Sequence, residues 1–153
     1  MARKQQLTKN LLPFLSVVIA ITALLYSTWR NETTEQQRSL RQASFAVLER
    51  LTALEGHIFI MAYTDREDIA ADKPFLAWAA AREIRDLAAV LPPPLPGQAD
   101  QLFTSWSDHF NDLSSRMENT PASQATARKA ADVLSDEIQI LREQIIGTLA
   151  KFS

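Results

Sequence analysis

Apolar residues recur along this chain at helical spacing in four stretches, and in a fifth they run almost unbroken. Leu40, Ser44, Val47, Leu51, Leu54, Ile58 and Met61 follow one another in alternating steps of four and three. That is the seam of a helix packed along its length, and it does not fit the alternation of a strand. The acidic run TDREDIAADKP, 64–74, interrupts the seam and ends in a proline suited to a helix's first turn. A second helix is predicted from about Pro74 to Leu91, with Leu76, Ala80, Ile84, Leu87 and Leu91 on one face. LPPPLPG, 91–97, then forbids helix for several residues, because proline lacks the backbone donor and restricts the residue before it. A third helix is predicted from about Gln98 to Met117, striped by Phe103, Trp106, Phe110, Leu113 and Met117. After a break at NTPAS, 119–123, the fourth carries the cleanest seam: Ala127, Ala131, Leu134, Ile138, Leu141, Ile145, Thr148 and Phe152.

Four amphipathic helices with short connections predict an all-α, antiparallel up-and-down four-helix bundle. Their lengths differ. Counted from Arg30, helix 1 would be about 54 Å long and helix 4 about 46 Å, against about 30 Å for the two between them. At one end, therefore, only helices 1 and 4 are expected side by side, with Leu40, Ile145, Leu149 and Phe152 poorly covered in a single chain. Burial of a leucine-sized side chain is worth about 1.5–3 kcal/mol. These four residues are accordingly expected at an assembly interface, with a homodimer as the simplest resolution.

The unbroken apolar stretch lies ahead of the bundle. NLLPFLSVVIAITALLYSTW, 10–29, holds no charged residue and is bracketed by Lys9 and Arg30. Some twenty helical residues span about 30 Å, the thickness of a bilayer's hydrocarbon core. Residues 11–29 are thus expected to form a transmembrane signal anchor. A cleaved signal peptide would have a shorter apolar core and small residues before the cut, whereas the exit here reads LLYSTWRN. Residues 1–10, with Arg3, Lys4 and Lys9 and no acid, are expected as a cytoplasmic tail. Residues 30–153 are then the extracytoplasmic helical bundle.

Composition narrows the chemistry. The chain has sixteen basic and eighteen acidic residues, and every acid lies beyond Arg30, so the bundle is net acidic. That disfavours nucleic acid, which needs a basic face. There is no cysteine, which excludes thiol chemistry, disulfides and cysteine-based zinc sites. Glu55 and His57, two apart, diverge on a helix, and His109 and Asp112 share a face but read as a common surface pair, so no metal or cofactor is expected. The acids of 65–72 lack the glycine and spacing of a calcium loop and read as a solvated corner. No nucleophile, base and orienting group can be assembled, so no catalytic residue is assigned. The one candidate ligand site is aromatic. Phe75, Trp78, Trp106 and Phe110 are expected to meet between helices 2 and 3, most simply as core. A pocket there would take a small apolar or anionic ligand, with Arg82, Arg85 or Arg116 gripping a carboxylate. As surface residues the same arginines would pair with Glu83, Asp86 and Glu118.

Residues 47–90 resemble the helical CHASE-type and chemoreceptor-type sensor domains on the outer face of bacterial membranes. The first helix of CHASE-type domains ends in a pattern like E-T-G-x-R-G-x-L-x-T-G-D. In EGHIFIMAYTDR, 55–66, Glu55 and Thr64 match at the right separation, while Phe59 stands at the arginine position and the glycines have no counterpart. The resemblance implies a bacterial inner-membrane protein with a sensory bundle outside. In such receptors the last bundle helix continues into a second span, whereas this chain ends at Ser153. Three readings follow: a sensory or regulatory subunit that pairs with a partner membrane protein, a structural scaffold in an envelope assembly for division or secretion, or the ectodomain part of a larger receptor.

Overall fold

The computed structural model describes residues 2–64, 73–115, 118 and 120–151, with side chains from residue 15 onward except at 33 and 34. The acidic corner expected at 65–72, together with Arg116, Met117 and Phe152, lies outside the described residues. Among those described, regular structure consists of four α-helices and no strand: α1 (Ala2–Tyr63), α2 (Lys73–Ala88), α3 (Leu95–Ser115) and α4 (Pro121–Lys151). The chain divides into two compact units, Met1–Ser39 and Leu40–Ser153.

The first unit is helical, and its described apolar side chains, among them Leu15, Ile19, Leu24, Leu25 and Trp29, are exposed. Its threonines satisfy their hydroxyls within the helix: Thr22 donates to the Val18 carbonyl at 2.8 Å and Thr28 to that of Leu24 at 2.9 Å. Among the described residues no helix is long and apolar enough to cross a membrane. Of the segment expected to do so, 11–29, side chains are described only from Leu15.

In the second unit each helix lies beside the next in chain order. Arg50 pairs with Glu83 across α1 and α2 at 2.7 Å. Trp78 meets Phe103 across α2 and α3. The Ser115 hydroxyl donates to the Ser123 carbonyl across α3 and α4 at 3.5 Å. Arg142 closes the ring onto Glu55 of α1 at 2.6 Å. Tyr63 faces Arg128 while Glu55 faces Arg142, so α1 and α4 run antiparallel. The result is an up-and-down four-helix bundle.

Its core follows the sequence seams on the outer pair of helices. Ser44, Val47, Leu51, Leu54, Ile58 and Met61 of α1 are buried, as are Ala127, Ala131, Leu134, Ile138, Leu141 and Ile145 of α4. The middle helices are rotated from expectation. In α2 the buried line is Ala77, Ala80, Ala81, Ile84 and Ala88, while Leu76 is exposed and Leu87 only partly buried. In α3 Leu95, Ala99 and Leu102 join Trp106 and Leu113 in the interior, and Phe103 and Phe110 pack at its edge. Alanine presents little apolar surface, so it lets α2 approach its neighbours closely, and a pattern weighted by side-chain size overlooks it.

Two boundaries also differ. The helix α2 ends at Ala88, because Leu91 precedes Pro92 and is drawn out of helical conformation; its N–H still bonds the Ala88 carbonyl at 3.0 Å. The helix α3 begins at Leu95, three residues before Gln98, and carries Pro96 in its first turn, where a missing N–H costs nothing.

These shifts overturn the expectation that Ile145 is bare. Ile145 is fully buried within one chain, and Leu40 and Leu149 pack partly buried against the same core. Gln98 of α3 and Leu141 of α4 line one small cavity, so Leu95 and Ile145, each a turn further on, lie level. Leu91 and Leu95, buried at the α2–α3 connection, belong to the same core cluster as Ile145. Counting helix 1 from Arg30 overstated the mismatch, since its core-forming part starts only at Leu40.

The start of α4 is capped reciprocally. The Ser123 N–H donates to the Thr120 hydroxyl at 3.1 Å, and the Thr120 N–H donates to the Ser123 hydroxyl at 3.0 Å. Pro121 follows as the first helical residue. This is a capping box with serine in the place usually held by glutamate or glutamine.

Candidate functional site

Two surfaces of the bundle carry more than core packing requires. The first is a groove on α2 and α3. Phe75, Trp78, Arg82 and Arg85 fall at steps of three and four, which places them along one face of α2. With Ala79 and with Phe103 of α3 they line an open cavity of about 400 Å³. Trp78 is the hub of an aromatic cluster, with ring centroids 6.0 Å from Phe103, 5.8 Å from Trp106 and 5.3 Å from Phe110. The first two pairs are edge-to-face, the arrangement favoured by the ring quadrupoles. Trp106 and Phe110 themselves lie 5.5 Å apart.

The groove's charge comes from two arginines. The Arg85 guanidinium sits 4.2 Å above the centroid of Phe103, a cation–π contact that fixes its plane. Its Nη2 also reaches Asp86 at 3.4 Å, whereas Arg82 reaches the other oxygen of the same carboxylate only at 3.8 Å. Both partners of the Arg82 pair are exposed, so that pair is weak.

Of the residues expected at a ligand site, Phe75, Trp78 and Arg82 line the groove. Trp106 is fully buried behind Trp78, and Phe110 lies beside both without lining it. The Trp106 indole N–H is buried with no acceptor among the described residues. Glu83, expected as a partner of these arginines, pairs with Arg50 instead.

The second surface runs along α1 beside α4. Phe45, Thr52, Gly56, Phe59 and Tyr63 are separated by steps of seven, four, three and four, which keeps them on one line of the helix. All five are exposed, Phe45 and Phe59 at 62% each. Phe59 and Tyr63 stack with centroids 4.9 Å apart. Arg128 of α4 lies 5.8 Å over Tyr63, and a shallow cavity of about 190 Å³ runs between Phe59, Tyr63, Asp132 and Ser135. Ile146 is exposed further along α4 on the face that carries Arg142. The row lies off the core seam, so the seam does not reveal it, although its own steps are helical.

Of the two histidines, His109 has a structural place. His109 Nδ1 donates to the Ser105 carbonyl at 2.9 Å, one turn back on its own helix. Among the described residues no group of three or more histidine or acidic side chains is placed to hold a metal ion. Comparison with protein-family models, with curated proteins and with solved structures gives no match to this chain.

Proposed function

We propose that this protein is a single-pass, membrane-anchored sensory or regulatory subunit of the bacterial inner membrane, with no enzymatic activity of its own. Residues 11–29 are the anchor, 1–10 the cytoplasmic tail, and 30–153 the extracytoplasmic part. Its bundle acts through helix–helix association, first with a second copy of this chain and through it with a partner membrane protein.

The observation that carries this reading is the exposed row Phe45, Thr52, Gly56, Phe59 and Tyr63. The exposed Phe59 ring stacked on Tyr63, with Phe45 exposed on the same line of the helix, is apolar surface suited to a packing partner. Two copies anchored in the same membrane run parallel, so that equivalent rows face each other about a two-fold axis. Gly56 lies within the row and lets a second helix come close. The anchor reading is supported by the uncharged run 10–29 between Lys9 and Arg30, and by Thr22 and Thr28, whose hydroxyls need no solvent. The likeness of Glu55 and Thr64 to the CHASE-type pattern points the same way.

Two experiments test it. Alkaline phosphatase fused after Ser153 is expected to be active, as it is only outside the cytoplasm; an inactive fusion overturns the orientation. The chain has no cysteine, so a single Gly56→Cys variant reports on one site. It is expected to form a disulfide-linked dimer in membranes, while Asp100→Cys on exposed α3 stays monomeric. Equal behaviour of the two variants overturns association through α1. A scaffold in an envelope assembly would dimerise as well, but would take no small ligand.

A further inference from the structure

We infer that the groove between α2 and α3 binds a small aromatic monocarboxylate. The inference rests on the sensory reading above and gives that subunit its ligand class. Three observations converge on it. The groove's volume, about 400 Å³, is in the lower part of the range for small-molecule sites and suits one or two fused rings. Its walls are flat: Phe75 is 75% exposed, and with Trp78 and Phe103 it offers ring faces and edges to a planar guest. Among the described residues its charge is unbalanced by one. Arg82 and Arg85 both line it and share the single carboxylate of Asp86, leaving one positive charge in excess.

The two arginines have different parts. Arg85 is held by the Phe103 ring and by Asp86, so it forms a fixed wall. Arg82 is exposed and reaches Asp86 only at 3.8 Å, so it can turn its planar fork onto an incoming carboxylate without breaking a strong pair. An aliphatic acid would leave the ring faces poorly matched, and a neutral aromatic would leave the excess charge unanswered. A dianion would meet the Asp86 carboxylate with one charge uncompensated.

The test uses the full-length chain in a neutral maltoside detergent at physiological salt, with 4-trifluoromethylbenzoate as probe and fluorine NMR line width as readout. The expected result is binding with Kd at or below about 1 mM, the level reached by a ligand of this size with ordinary efficiency. The matched amide, 4-trifluoromethylbenzamide, should bind about tenfold more weakly, as should the matched benzylammonium, because each lacks the charge-assisted pair. The double variant Arg82→Gln, Arg85→Gln should erase the preference for the acid over the amide. Its fold is checked by circular dichroism; should it fail to fold, Phe75→Ala takes its place and should weaken both acid and amide. Equal binding of acid and amide to the unaltered chain overturns the inference. So does a preference that survives loss of both arginines, or an absence of broadening at millimolar probe. None of these readouts depends on orientation in a membrane or on self-association, so failure here leaves those to their own tests.

Discussion

Gly56→Ala separates what one chain needs from what two chains need. Gly56 lies well inside α1, exposed, and a methyl group built there meets no heavy atom within 4 Å. Glycine in a helix interior is destabilising by about 0.5–1 kcal/mol relative to alanine, chiefly through the freedom it loses on folding. With nothing to clash, the substitution should return that amount to the single chain. For a bundle of the size of Leu40–Ser153 the gain corresponds to a melting temperature higher by about 2–4 °C. A second helix packed on the row would meet the new methyl, so self-association should weaken while the fold gains. Thermal melts at high dilution read the first effect, and sedimentation equilibrium in detergent, across a concentration series, reads the second. A lower melting temperature in the dilute protein would show that Gly56 is already tightly packed within one chain. Unchanged self-association would remove the row from the interface, and with it the reason for a glycine there.

Trp106→Ala should cost about 3–5 kcal/mol in denaturant melts, since the ring is fully buried and holds Trp78 and Phe110 in place. Trp106→Phe should cost clearly less, because it keeps an aromatic ring and removes a buried N–H that has no acceptor among the described residues. Thr120→Ala should cost about 1 kcal/mol by loss of the cap on α4, and Thr120→Asp should restore most of it.

The outer helices could be read from sequence with little loss, and the inner ones could not. Steps of four and three placed the buried line of α4 from Ala127 to Ile145 and that of α1 from Ser44 to Met61, and missed only the small Ala130 and Ala62 buried beside them. In α2 the same reasoning preferred Leu76 and Leu87 to Ala77 and Ala88, because apolarity was weighed by size and close packing rewards smallness. In α3 the heavy ring of Phe103 drew attention from Leu102, one position away. The groove was half legible: Phe75, Trp78 and Arg82 share a face by spacing alone. The contact of Arg85 with Phe103 depends on the register between two helices, which no single-helix pattern contains.

The alanine face of α2 has a consequence for motion. The fully buried face of α2 is Ala77, Ala80, Ala81, Ala88 and one larger group, Ile84, with Trp78 and Leu87 packed partly buried beside it, so it gains less from staying closed than a face of leucines would. Each buried methylene is worth about 0.8 kcal/mol, so exchanging leucines for alanines forgoes several of them per turn. Local opening is then cheapest at α2, and its amide protons should exchange with deuterium well before those of α4, which is held by Leu134, Ile138, Leu141 and Ile145. The same helix carries Phe75, Trp78, Arg82 and Arg85. A guest that bridged it to Phe103 would lock the loosest segment of the bundle, and slower exchange confined to α2 would be its dynamic signature.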